Sequence, residues 1–202
     1  MEAADDILGL WFGPLVEGWS QPAFRRRWFR VDPAFDALLA ERYGALLDRL
    51  ATHGIPDDTV TVRDRFALLI ACDQFSRNIH RGTARAFVLD PLARTLAREL
   101  LAPSADEFAP EELQFLYLPF QHSEVLDDQE LSLRLFQALH ARMPVRFRER
   151  SLAMVREADN HAAIVRRFGR FPHRNVALGR SSTPEEIAWL ATASTWGQHP
   201  AK

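Results

Sequence analysis

The sequence predicts an all-α protein of about seven to ten helices. Three observations carry that prediction. Apolar residues recur at spacings of three and four along most of the 202 residues. Capping residues followed by proline or an acidic partner recur as helix-start signals. Sustained apolar–polar alternation and Asn-Gly hairpin dipeptides are missing, so strands have no signal.

The elements follow in order. Asp32 as N-cap and Pro33 at the first helical position open a helix with Phe35, Leu38, Leu39, Tyr43, Leu46, Leu47 and Leu50 on its apolar side. The stretch "HGIPDD" breaks it. Thr61 and Asp64 form a capping box for a second helix that reaches about Asn78. Asp90-Pro91 begins or kinks the next, Pro110 opens "PEELQFLYL", and Pro119 should end or kink that one. "DDQELSLRLFQAL" follows, then a long helix that comes after Pro144 and reaches about Phe168. Gly169 suits a left-handed C′ residue, with Arg166 and Arg167 favoured at the negative end of the helix dipole. Thr183, Pro184 and Glu186 start the last helix. No linker or repeat divides the chain, so a single domain over 1–202 is expected.

Composition excludes several classes. The chain is 47% hydrophobic and 26% charged, with net charge -2, so no overall field draws it to nucleic acid or membrane. All of its basic residues except Lys202 are arginine, a bias that makes position count for more than number. The lone cysteine, Cys72, lies in the apolar run "FALLIAC" and reads as a buried, inert thiol. The acidic start "MEAADD" does not suit a secretory leader, and no apolar run nears the roughly twenty residues of a membrane span. A cytoplasmic location is expected.

Three polar segments interrupt apolar faces. On the helix from Val62, one arc runs from Val62, Phe66, Leu69 and Ile70 into Asp73, Arg77 and His80, while Leu68, Cys72, Phe75 and Ile79 keep the other side apolar. Asp73 and Arg77 should therefore lie inside or at the floor of a cleft, as an ion pair or as part of a site, and Gln74, Asn78 and Arg81 form an adjacent polar row that is either solvated surface or the rim of that cleft. In the long late helix, His161 falls among Met154, Ala158, Val165 and Phe168, as a hydrogen-bonded core residue or a ligand contact. In "RRFGRFPHRN", Phe168 and Phe171 should pin a loop that presents Arg170, His173, Arg174 and Asn175, donors suited to a carboxylate or phosphate. His122 and Glu124, followed by Asp127 and Asp128, are the natural counter-charges.

The motifs "DQFSRN", "RAFVLDPLA", "LYLPFQHSE" and "RRFGRFPHRNVALGRSSTPEE", with Trp11-Phe12 and Trp28-Phe29, resemble the mostly bacterial domain-of-unknown-function family 924 over nearly the whole chain. The resemblance implies a TPR-like right-handed α-α superhelix and brings no catalytic residue. Asp73, Gln74, Arg77, Asn78, His122, Glu124, His173, Arg174 and Asn175 match the family's motif positions. Ala71 and Ser76 depart from its usual form.

Three functional readings stay open. In the favoured one a polar pocket binds a small anionic ligand through Arg77, Arg170, His173 and Arg174, tuned by Asp73, Glu124, His122 and His161. Its enzymatic form makes His122 or His173 a general acid or base, with a carboxylate such as Glu124 among the catalytic candidates. A metal held by His122, Glu124, His161 and His173 has no diagnostic spacing, and no cofactor motif is present, so neither is expected. In the second reading a concave face holds a peptide or protein partner, using exposed aromatics near the N-terminus. In the third the polar motifs only tie helices together. The pocket reading expects Asp73, Glu124 and Arg174 around one hollow, and Arg174→Ala to abolish binding with little loss of stability.

Overall fold

A computed structural model of the chain describes residues 4–28, 30–56, 61–104, 107–193 and 195–198. Phe29, Asp57, Asp58 and Lys202 lie outside them. The α-helices are α1 (Ala4–Phe12), α2 (Pro22–Trp28), α3 (Pro33–His53), α4 (Val62–Ile70), α5 (Ser76–Ile79), α6 (Asp90–Ser104), α7 (Pro110–Gln121), α8 (Leu126–Ala141), α9 (Arg148–Phe168) and α10 (Pro184–Leu190). The all-α class is confirmed.

Local chemistry sets the starts of these helices. The Asp32 carboxylate accepts from the Phe35 N–H at 3.1 Å. Thr61 with Asp64 and Thr183 with Glu186 form full capping boxes. The Glu112 carboxylate accepts from the Ala109 N–H at 3.0 Å, half of such a box at the start of α7. Gly169 ends α9 with φ 68.

Three features depart from the sequence reading. First, Pro119 does not end its helix: α7 continues to Gln121. Proline there removes one hydrogen bond close to the helix end, and its ring is buried in the core. Second, α4 and α5 are joined by a π-helical turn, Ala71–Phe75, in which the Ser76 N–H reaches back to the Ala71 carbonyl. A π turn carries an extra residue, so the faces after it rotate from the ideal 100° projection. Third, a small antiparallel hairpin, β1 (Leu15–Val16) and β2 (Trp19–Ser20), pairs Leu15 with Ser20 and Val16 with Trp19. Its turn needs positive φ at both Glu17 (52°) and Gly18 (81°). A Cβ at Gly18 would come within 2.6 Å of Pro110, so glycine is required.

The core is aromatic at its centre. Phe115 meets Trp28 at 4.7 Å, Phe12 at 5.3 Å and Trp11 at 5.6 Å between ring centroids. Trp11, Phe12 and Trp28 are all buried, which removes them from the surface that the partner reading required. Helices adjacent in sequence pack together from α6 through α9, and α4 packs on α1 and α6. Beside them α7 and α9 run parallel. Glu111 of α7 holds Arg150 of α9, and Gln121 lies 3.3 Å from His161. No helix among the described residues is long and apolar enough to cross a membrane.

The substitution Phe115→Ala should lower stability by about 3–5 kcal/mol, because it empties the point where three rings meet. Denaturant unfolding monitored by tryptophan fluorescence will show it.

Candidate functional site

Between α7, α8, α9 and the π turn lies a cavity of about 760 Å³. The π turn and α5 bring Gln74, Arg77 and Asn78 to its wall. The end of α7 brings Gln121 and His122. The face of α9 brings Arg150, Met154, Glu157 and His161, and the loop after α9 brings His173 and Arg174.

At one end, the floor is built on a buried carboxylate. The Asp73 side chain is 1% exposed and carries an ion pair with Arg77 at 3.1 Å. The ring Nδ1 of His122 lies 2.8 Å from Asp73 Oδ1 and 3.1 Å from Oδ2. The Gln74 amide donates to the same carboxylate. Burial alone would raise the Asp73 pKa, but the charge His122 carries at low pH, the Arg77 charge and hydrogen bonds from His122 and Gln74 outweigh it and hold it at about 2. An ionised carboxylate only accepts, so Nδ1 of His122 carries the proton. Burial pushes the His122 pKa below its ordinary value, opposed by Asp73 and assisted by Arg77 and Arg174. That shift favours the neutral ring at pH 7. Its Nε2 finds no partner among the described residues.

A second carboxylate, Asp90, extends the network. It accepts from Arg77 at 3.0 Å and from Arg174 at 3.3 Å. Arg174 also donates to the His122 carbonyl at 2.9 Å. Its guanidinium lies between the Phe87 and Phe171 rings, at 4.5 and 4.7 Å. Burial lowers its pKa to about 10, so it stays charged. Asp73 and Asp90 thus match Arg77 and Arg174 one for one.

Two further histidines close this end. His161 donates from Nδ1 to the Glu157 carbonyl at 2.9 Å, and burial drives its pKa down to about 3. Burial and the nearby Arg174 charge drive His173 down to about 2. Trp196, in the segment 195–198, packs against both at a tilt, with centroids 4.3 Å from His161 and 5.1 Å from His173. Gln198 anchors that segment by donating to the Arg77 carbonyl at 3.1 Å.

Of the residues singled out in the sequence, Gln74, Arg77, Asn78, His122, His161, His173 and Arg174 line the cavity. Asp73 stands directly behind His122. The other three do not reach it. Glu124 accepts from the Phe171 N–H at 2.8 Å and from Arg180 at 2.6 Å. Arg170 is bound to Glu186 at 2.6 Å. Asn175 donates to Ser182 at 3.0 Å and Glu186 at 3.2 Å. These three therefore shape the loop that presents Arg174 and are not cavity residues. Glu124 has no place as a catalytic group for the same reason. Arg174 is itself buried and paired, so its replacement cannot leave stability untouched. Asp73, Glu124 and Arg174 do share one polar layer, but only Arg174 faces the hollow.

Among the described residues no group of three or more His, Cys, Asp or Glu side chains could hold a metal ion. Cys72 is fully buried, and burial pushes its thiol pKa far up, so it is no nucleophile. Asp90, Glu111, Gln121 and Trp196 were not singled out. Gln114 and Gln121 were the available signal: two amides with Leu118 at spacings of four and three on a helix that is otherwise free of amide and charged side chains after Glu112.

The family model described as "Bacterial protein of unknown function (DUF924)" matches residues 7–194, and the chain belongs to that family. A solved structure of a protein of unknown function from Agrobacterium tumefaciens is similar. It is 33% identical with a TM-score of 0.77, and the match covers 94% of this chain and 97% of that one. A comparison with curated proteins found no match.

Two measurements check the site. Unfolded histidine binds its proton near pH 6.5, whereas folded His161 and His173 do so only near 3 and 2. Their contribution is therefore complete above pH 6.5 and is lost as the pH falls, by about 1.4 kcal/mol per unit for each ring. Denaturant midpoints from pH 7 to 4 should fall steadily, and less steeply in His161→Gln and His173→Gln. Arg174→Ala should cost about 3 kcal/mol or more, since it breaks a buried ion pair.

Proposed function

We propose that the cavity binds a small organic molecule carrying a carboxylate or phosphate, and that His122 exchanges a proton with it. The observation that carries this reading is the Asp73–His122 pair. A fully buried, ionised carboxylate fixes Nδ1 as the protonated nitrogen, which leaves Nε2 as the basic nitrogen of a ring that lines a hollow large enough for a metabolite. A neutral imidazole so held is a competent general base, a role typically worth about 10²–10⁴ in rate. Asp73 is the positioning residue, and it also stabilises the imidazolium that forms when Nε2 takes a proton.

Arginine donors support an anionic ligand. Arg77, Arg81, Arg150 and Arg174 line the hollow, each fixed by a carboxylate that stands behind the wall: Asp73 and Asp90, Asp36, Glu111 and Asp90 respectively. Guanidinium groups fixed in this way need little further ordering to meet a ligand. Leu118, Phe136 and Met154 supply apolar walls between the polar ends.

A thermal-shift panel of carboxylates and phosphomonoesters tests the reading. At about 100 times Kd a ligand adds about 2.7 kcal/mol, which raises the midpoint by roughly 5–10 °C for a chain of this size. The shift should be strongly reduced in Met154→Trp, whose larger side chain narrows the hollow between its two ends. His122→Asn should remove the pH dependence of binding around the histidine pKa. No shift with any compound at saturating concentration would contradict the proposal.

A further inference from the structure

The cavity has two ends, and they differ in charge balance. Along the parallel α7–α9 pair one end is marked by Arg150 beside Glu111, the other by His161 beside Gln121. At ~1.5 Å rise per residue, Arg150 and His161 stand about 16 Å apart along α9. At the histidine end two carboxylates balance two guanidiniums, as described above. At the other end Arg25 and Arg150 share one carboxylate. Glu111 is wholly buried and lies 2.7 Å from Arg150 and 3.7 Å from Arg25, so this triad carries a surplus positive charge. Arg146 adds a third guanidinium on the same wall, where the Glu149 carboxylate is exposed to water and screened by it. Its partner Glu17 is 55% exposed and Arg146 itself 63%, a pairing that water largely screens. The positive pole of α9, which starts at Arg148 without a side-chain cap, lies at the same end.

We infer that the ligand is an extended organic anion whose phosphate or carboxylate sits at the Arg25–Arg146–Arg150 end, so that its chain runs along Leu118, Phe136 and Met154 and its far end meets His122. This rests on the cavity being a small-molecule site. It adds where the anion binds and what shape of molecule fits. A compact anion would fill only one end and leave the apolar middle wet. An extended one desolvates that middle, and each buried methylene adds about 0.8 kcal/mol.

The test is calorimetric titration of the whole protein with inorganic phosphate and with straight-chain n-alkyl phosphates of increasing length. Affinity should rise about fourfold per methylene, the equivalent of about 0.8 kcal/mol, and then level off once the chain spans the hollow. Arg146→Gln, at an exposed position that folding does not depend on, should weaken every alkyl phosphate by a similar factor whatever its length. Arg25→Gln should do the same, and circular dichroism confirms that each variant is folded. The inference fails if affinity does not depend on chain length, or if neither arginine matters while Met154→Trp still strongly reduces binding of short anions. In that case the anion sits at the histidine end and the broader reading survives. If neither the alkyl phosphates nor any member of the carboxylate and phosphomonoester panel binds, both readings fall together.

Discussion

The charge on Asp73 organises the inner half of this protein. A carboxylate that is 1% exposed must be compensated on every side, because leaving an ion unpaired in the interior costs several kcal/mol. Compensation comes from three different elements. Arg77 reaches back from α5, Gln74 turns in from the π segment, and His122 arrives from the end of α7. Arg77 then requires Asp90, and Asp90 accepts from Arg174. The chain of dependence fixes the start of α6, the end of α7 and the loop after α9 relative to one another. The cavity is the space those elements leave between them.

The same constraint gives His122 its chemical character. Imidazole in water is divided between two tautomers and a cation. Here Asp73 accepts from Nδ1, and burial with two nearby guanidiniums disfavours the cation. What remains is one neutral tautomer whose basic nitrogen is Nε2, on a ring that lines the hollow. The opposite end of the hollow depends on Glu111, which is buried as completely as Asp73 but holds two arginines and no histidine. One buried carboxylate therefore orients a proton acceptor and the other concentrates positive charge.

Much of this was legible from the chain, and the division has a physical basis. The caps at Asp32, Thr61 and Thr183 were readable because the donor and acceptor lie within three residues. The burial of Asp73 and Arg77 followed from the apolar arcs around them. The hairpin at Glu17-Gly18 was hidden, since nothing local favours a left-handed glutamate; the turn sits against the start of α7, where the Glu111 N–H donates to the Gly18 carbonyl and Pro110 leaves no room for a Cβ. The π turn is likewise a tertiary effect that no periodicity announces. Arg170 was misplaced because Glu186 has two roles. It accepts from the Thr183 N–H at 2.8 Å, as the capping motif required, and also binds Arg170. The capping motif shows the first role, while the second depends on how the loop folds. Glu111 escaped notice because its partners Arg25 and Arg150 lie far from it in sequence.

The most direct test of the account is the tautomeric state of His122, read from its ring ¹⁵N resonances at pH 7 in uniformly labelled protein. If Asp73 is ionised and governs the site, Nδ1 must show a protonated nitrogen and Nε2 an unprotonated one, and Asp73→Asn must alter that pattern. Two protonated nitrogens, or a proton on Nε2 with Nδ1 bare, would mean that the buried carboxylate does not hold the ring as described.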